Sequence, residues 1–239
     1  MSRRRDLDWD GCFNVRDLGG LRTVDRGTTR FRAVVRADDL TRLTRAGWSS
    51  LAAYGVRTIV DLRNERERQP DEAVRPGELT TLHVPLDDEA DRDFWQHVRS
   101  NELDGSPLYY PLFLERKARQ CAAAINAVAR APEGGVVVHC GAGRDRTGLV
   151  SVLLLSLAGV VVEDIVADYE RSTARLAGLW PLLGIADQGE QIRRILDRRR
   201  TSARQLLSEL VSGFDAASDL EVAGVAASDL EQLRRRLVS

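Results

Sequence analysis

A chain of 239 residues, 43% hydrophobic and 30% charged, can bury a sizeable core, and its length fits one domain over residues 1–239 better than two. With 35 Lys and Arg against 36 Asp and Glu, global charge gives no ground for nucleic acid or an anionic membrane as the main partner, so any anion recognition must be local. Three cysteines, Cys12, Cys121 and Cys140, lie far apart with no metal-ligand spacing, which argues against a disulfide framework or a structural zinc and for a reducing compartment. The opening MSRRRDLDWDG lacks the apolar stretch of a secretory signal, and the longest apolar run, Leu149 to Val162, is too short to cross a bilayer. The expectation is a cytoplasmic protein without stable membrane insertion, with export by a non-standard route left open.

RFRAVVRADDL reads as a strand entering a turn, and LTRAGWSSLAAYG as a short helix with Thr44 at its N-cap and Gly55 as its stop. RTIVDLR and TLHVPL read as further strands, about Leu108 to Arg130 as a long helix, and GGVVVHC as a buried strand. Strands separated by helical patterns predict an α/β fold with a central, largely parallel sheet flanked by helices, its ligands beyond the carboxyl ends of the strands. From Thr173 onward the pattern turns helical. SARQ (Ser202 to Gln205) and SDLE (Ser228 to Glu231) both fit a capping box that opens a helix, and about 175–200 is expected to form a helical lid.

HCGAGRDRTG, residues 139 to 148, joins the GGVVVHC strand to the apolar helix that follows. Gly141 and Gly143 permit the backbone angles that turn successive N–H groups inward, and the positive end of the next helix points the same way, so the loop suits a phosphate. The same donors favour a thiolate at Cys140. Arg146, six positions after Cys140, is placed to give a bidentate contact to the same anion, and Thr147 is placed to hydrogen-bond the sulfur as a leaving group. Such a loop supplies a nucleophile and charge stabilisation for phosphoryl transfer without a metal or organic cofactor.

CGAGRDR fits the Cys-x5-Arg signature of the protein tyrosine phosphatase superfamily, and HCGAGRDRTG resembles its HCxAGKDRTG form. FNVRDLGG resembles an NFRDLGG opening, RADDL an RSSxL turn, IVDLRNERER a DLRSxxE segment and IVADYERS a VxDYxxS segment, all of PtpB-type bacterial tyrosine phosphatases. The resemblance implies a cysteine phosphatase fold, Cys140 as nucleophile, Arg146 as the phosphate-binding arginine, and the backbone of Gly141, Ala142, Gly143, Arg144 and Asp145 as the rest of the cradle. It also implies a phosphotyrosine protein as substrate, with inorganic phosphate bound at the site. Arg144 stands where the family has lysine and is expected at the cradle rim, where a phosphoinositide would bring further phosphates. A phosphoinositide phosphatase and a non-catalytic phosphate reader are the competing readings.

The leaving oxygen needs a proton, and the candidate acids are Asp87, Asp88 and Asp145. The family pattern implies Asp88 best. Asp145 has a rival claim from its place in the cradle, as in myotubularin-like phosphatases, with pairing to Arg144 or a loop amide as its alternative. His139 is expected to fix the loop rather than act as a base, and Asp61 and Arg63 to form a buried pair bracing the cradle, with contact to substrate as the alternative. Cys12 and Cys121 read as packing residues. The arginine runs at 3 to 5, 198 to 200 and 234 to 236 read as helix surfaces or solvated tails. Asp168, Tyr169 and Ser172 either reach the pocket rim or pack a helix.

Overall fold

The computed structural model describes residues 4–238. Within them the strands β1 (Arg16–Asp17), β2 (Val34–Ala37), β3 (Val56–Asp61), β4 (Thr80–His83) and β5 (Gly135–His139) form one sheet in the order β1-β2-β5-β3-β4. Only the short β1 runs antiparallel to its neighbour. The helices are α1 (Arg45–Tyr54), α2 (Arg92–Ser100), α3 (Tyr110–Ala129), α4 (Arg146–Leu157), α5 (Val162–Arg175), the single turn α6 (Leu179–Leu182), α7 (Gln188–Arg198), α8 (Ala203–Ser212), α9 (Ala216–Val222) and α10 (Ala227–Leu237).

Alternation along the central strands decides the layers. Val136 and Val138 of β5 join Val34 and Val60 in a core closed by α3 and α4, whereas Val137 joins Val35 and Ile59 on the opposite face against Trp48 and Leu51 of α1. A strand covered on both faces has no solvent side, which is why GVVVH is buried throughout. Each buried valine stabilises the fold by about 1.5–3 kcal/mol.

Local signals act where expected in α1: the Thr44 hydroxyl accepts the Gly47 N–H at 3.2 Å, and Gly55 ends the helix at φ +99°. The Ser202 hydroxyl likewise accepts the Gln205 N–H at 3.1 Å and opens α8. SDLE does not open a helix, because α10 already starts at Ala227 behind Ala226 and places Ser228 inside its first turn. The runs at 198 to 200 and 234 to 236 lie largely at the surface, whereas Arg5 of the first run turns inward onto the buried Asp168, contrary to the reading as a solvated tail. Arg198 pairs with Glu102 at 2.8 Å, Arg235 with Glu231 at 2.6 Å, and Arg236 donates to the Gly134 carbonyl at 2.9 Å. Arg3 lies outside the described residues. Among those described, no helix is long and apolar enough to cross a membrane.

Candidate active site

β5 ends at His139, and Cys140 follows it at the carboxyl edge of the sheet, buried between the loop and the core. Residues 141 to 145 then curl into α4. The carbonyls of this loop are tied outward. Asp39 N–H reaches the Gly141 carbonyl at 3.0 Å, Asn14 Nδ2 the Ala142 and Gly143 carbonyls at 3.0 and 3.1 Å, Arg36 Nη2 the Gly143 carbonyl at 2.8 Å, and the Tyr110 hydroxyl the Asp145 carbonyl at 2.8 Å. The N–H groups of Gly141 to Asp145, by contrast, find no acceptor among the described residues. Unpaired amides beside the start of a twelve-residue helix make an anion cradle. Gly143 is required here, since its φ is +65° and a Cβ would lie 2.3 Å from the Ala37 carbonyl oxygen.

Arg146 opens α4, and its terminal nitrogens meet both oxygens of Glu67 at 2.5 and 2.7 Å, with Asp87 3.3 Å away. Burial opposes its charge, but Glu67, the nearby Cys140 sulfur and Asp87 outweigh that and raise its pKa. Glu67 occupies the outer edge of the guanidinium. Nε and the inner hydrogen of Nη2 remain free for an anion, which is the bidentate geometry arginine offers a phosphate.

The carboxylates divide differently from the sequence expectation. After the buried Leu86, Asp87 and Asp88 meet different partners. Asp87 faces Arg146. Burial, aided by the repulsion of Glu67, Asp145 and Glu89 and opposed by Arg146, pushes its pKa up to about 6. Asp88 turns instead to Lys117, whose ammonium it meets at 3.1 Å, and leaves the cradle carboxylate position to Asp87. Asp145 does not face an incoming substrate as a free acid either: its carboxylate holds Arg144 Nε and Nη2 at 3.2 and 3.3 Å.

Arg144 itself is not at an open rim. Its side chain is only 5% exposed, stacks 5.7 Å from the Trp180 ring and donates to Gln188 Oε1 at 3.2 Å, because α6 and α7 lie over it. The segment expected as a lid thus includes Leu176, Leu179 and Trp180, packed with Phe13 and Ala142 of the loop. Thr147 is fully buried and its hydroxyl has no partner, so it does not bond the Cys140 sulfur in this state.

Behind the cradle, Asp61 pairs with Arg63 at 2.8 Å, and Arg63 also reaches Asp39 at 2.5 Å. Burial would raise the Asp61 pKa, but Arg63 and His139 bring it down to about 2, while burial lowers His139 to about 4 despite Asp61 at 3.6 Å. His139 is therefore neutral near pH 7. Cys12, whose Sγ lies 3.4 Å from the Asp39 carbonyl, and Cys121 stay protonated through burial.

Asn14, Arg36 and Glu67 were not singled out from the sequence, although FNVRDLGG, VVRADD and DLRNERE contain them. Asp168 and Ser172 belong to the same brace. Asp168 takes Arg16 at 3.0 Å, Arg36 at 2.7 Å and Arg5, and Arg16 also reaches the Ser172 hydroxyl at 3.0 Å. The buried cations overcome desolvation and hold the Asp168 carboxyl far below its ordinary range. Asp168→Asn leaves these cations uncompensated, so we expect a loss of about 3–5 kcal/mol, seen as a lower urea midpoint at unchanged slope. The contribution is complete above the ordinary Asp value of 3.8 and fades as the pH falls below it towards the folded value, so the difference between the proteins should narrow in acid.

The tyrosine phosphatase family matches residues 7–239. The chain is 35% identical over 148 residues to a tyrosine-protein phosphatase of Nostoc commune, a match covering 61% of this chain and 50% of that protein. It is 30% identical over 181 residues to a protein of Cupriavidus necator named for the tyrosine-protein phosphatases, covering 73% and 65% respectively. It is also 30% identical over 189 residues to the triple specificity protein phosphatase PtpB of Mycobacterium tuberculosis, covering 68% and 67%. The match thus spans half of the first of these relatives and just under two thirds of the second.

Proposed function

The chain belongs to the tyrosine phosphatase family, and we propose that it is a single-domain phosphomonoester hydrolase that removes phosphate from phosphotyrosine through Cys140. The observation that carries this reading is the Arg146 guanidinium, anchored on Glu67 by one edge and free on the other, one loop away from Cys140 and beside amides without acceptors.

The ester phosphate enters the cradle, where the amides of Gly141 to Asp145 and the free edge of Arg146 bind its equatorial oxygens. Cys140 sulfur attacks phosphorus and the bond to the leaving oxygen breaks. Asp87, close to Arg146 and half protonated near pH 6, gives that oxygen its proton. A water molecule then attacks the phosphorus of the phosphocysteine, Asp87 takes the proton, and the sulfur leaves as inorganic phosphate forms. The buried Thr147 hydroxyl, free of other partners, is the donor for the departing sulfur. Asp145 acts through Arg144 in holding the loop rather than as the acid.

Arg144, the cation expected to meet the extra phosphates of a polyphosphorylated inositol, is buried with its Nε and Nη2 bonded to Asp145 and Gln188, which favours the phosphotyrosine reading. The test is a panel of nitrophenyl phosphate, a phosphotyrosine peptide, a phosphoserine peptide and a phosphatidylinositol phosphate in vesicles. We expect kcat/KM on the phosphotyrosine peptide to exceed that on the phosphoserine peptide and the lipid by at least about tenfold, a difference of about 1.4 kcal/mol in transition-state binding. Preference for the lipid would overturn the substrate assignment, and absence of turnover on every member would overturn the activity.

A further inference from the structure

Lys117 is the only lysine in the sequence, and it is buried. Its side chain is 4% exposed, and its ammonium meets Asp88 Oδ2 at 3.1 Å and Asp91 Oδ2 at 2.6 Å while lying 5.6 Å from the centre of the Phe94 ring. Taking an ammonium out of water is costly unless it is paired and hydrogen-bonded, and the two carboxylates supply both. α3 leaves helical angles at this residue (φ −123°, ψ 27°), although neither glycine nor proline occurs from Leu112 to Ala129 to account for it. The interruption falls on the residue that reaches across to another loop.

That loop, residues 87 to 91, reads DDEAD, four carboxylates in five residues. Like charges so close repel one another, so each needs a cation to hold it in one place. Asp87 has Arg146 at 3.3 Å, Glu89 accepts from Arg66 Nε at 2.7 Å and Asn64 Nδ2 at 2.8 Å, and Asp88 and Asp91 share Lys117. Arg116 also meets Asp91, at 2.7 Å, but it is 52% exposed and screened by water, whereas Lys117 is not. The Trp95 indole N–H donates to the Asp88 carbonyl at 2.9 Å. Lys117 thereby ties down the residue next to Asp87 and, three positions on, the N-cap of α2. Loss of the Asp88 carboxylate alone leaves Lys117 on Asp91 and the tie in place.

We propose that Lys117 is a positioning residue for proton donation: by holding Asp88 and Asp91 to α3 it keeps Asp87 beside Arg146 as the acid for the leaving oxygen, an inference that rests on Asp87 being that acid. Lys117 touches neither the cradle nor Asp87 and acts through the loop between them. Without its ammonium the repulsion within DDEAD is no longer offset, and the segment that carries Asp87 is free to move off its place.

The test uses Lys117→Met, uncharged and close in length, and Lys117→Gln, which keeps a donor for the carboxylates should the first variant not fold. Both are assayed on an alkyl phosphate and on nitrophenyl phosphate, alone and combined with Asp87→Asn, with orthovanadate binding as the measure of an intact cradle. Each is expected to lower kcat/KM on the alkyl phosphate at least about tenfold while kcat/KM on nitrophenyl phosphate and the vanadate Kd stay within about threefold. Combined with Asp87→Asn, either change should cost less than about threefold more on the alkyl phosphate, since no acid is left to position. A merely structural role would lower both substrates together. Equal losses on both, no loss on either, or an alkyl-specific loss that persists at full size in Asp87→Asn would overturn the positioning role. Asp87→Asn by itself tells the two assignments apart. An alkyl-specific loss there, with none in the Lys117 variants, removes Lys117 alone, whereas equal losses there remove Asp87 and Lys117 together.

Discussion

Cys140→Ser is expected to lose at least about 10⁴-fold in turnover on nitrophenyl phosphate while binding inorganic phosphate or vanadate within a few-fold of the wild type. The substitution removes only the sulfur. The cradle amides, the braces from Asn14 and Arg36, and the Arg146–Glu67 pair are built from other residues and remain to hold the anion. Arg146→Ala should lose both properties, because the guanidinium meets the anion in the ground state and in the transition state alike. Steady-state kinetics with product-inhibition constants separates the two variants. A serine variant that turns over at near the wild-type rate would remove Cys140 from the chemistry.

Asp87→Asn is expected to lower kcat/KM, which reads formation of the phosphoenzyme, by about 10²–10⁴-fold on an alkyl phosphate and far less on nitrophenyl phosphate, since the nitrophenolate oxygen leaves without a proton. Asp88→Asn should stay within a few-fold on both, as its carboxylate serves Lys117. The pH dependence carries the sign. A donor must be protonated, and the Asp87 pKa is raised to about 6, so wild-type activity on the alkyl ester should fall as the pH rises through about 6. That limb should be missing in Asp87→Asn. An equal loss of kcat/KM on both leaving groups would take the acid role away from Asp87, and a leaving-group-dependent loss of kcat/KM in Asp88→Asn would return it to the neighbouring residue.

The parts legible in the sequence are those decided by short-range chemistry. GVVVH announces a strand covered on both faces, Thr44 and Gly55 delimit α1, and the glycines between Cys140 and Arg146 announce an anion loop. What stayed hidden depends on partners far along the chain. The preference for Asp87 over Asp88 as the acid rests on Arg146 beside Asp87 and on Lys117, twenty-nine residues away, beside Asp88. Arg144 lies buried because Trp180 and Gln188 cover it, and nothing in HCGAGRDRTG tells of them. The outward tethers from Asn14 and Arg36 span more than a hundred residues to the loop. Their motifs could be seen, but not what they would grip.

Catalysis through Cys140 is tested by quenching the wild-type protein with acid during turnover of nitrophenyl phosphate and mapping the phosphate by mass spectrometry. We expect a phosphate bound through sulfur at Cys140, formed with the burst of nitrophenol, absent from Cys140→Ser and accumulating when Asp87→Asn slows its hydrolysis. A burst with the phosphate on another residue, or turnover in which no phosphoenzyme forms even with Asp87→Asn, would contradict it.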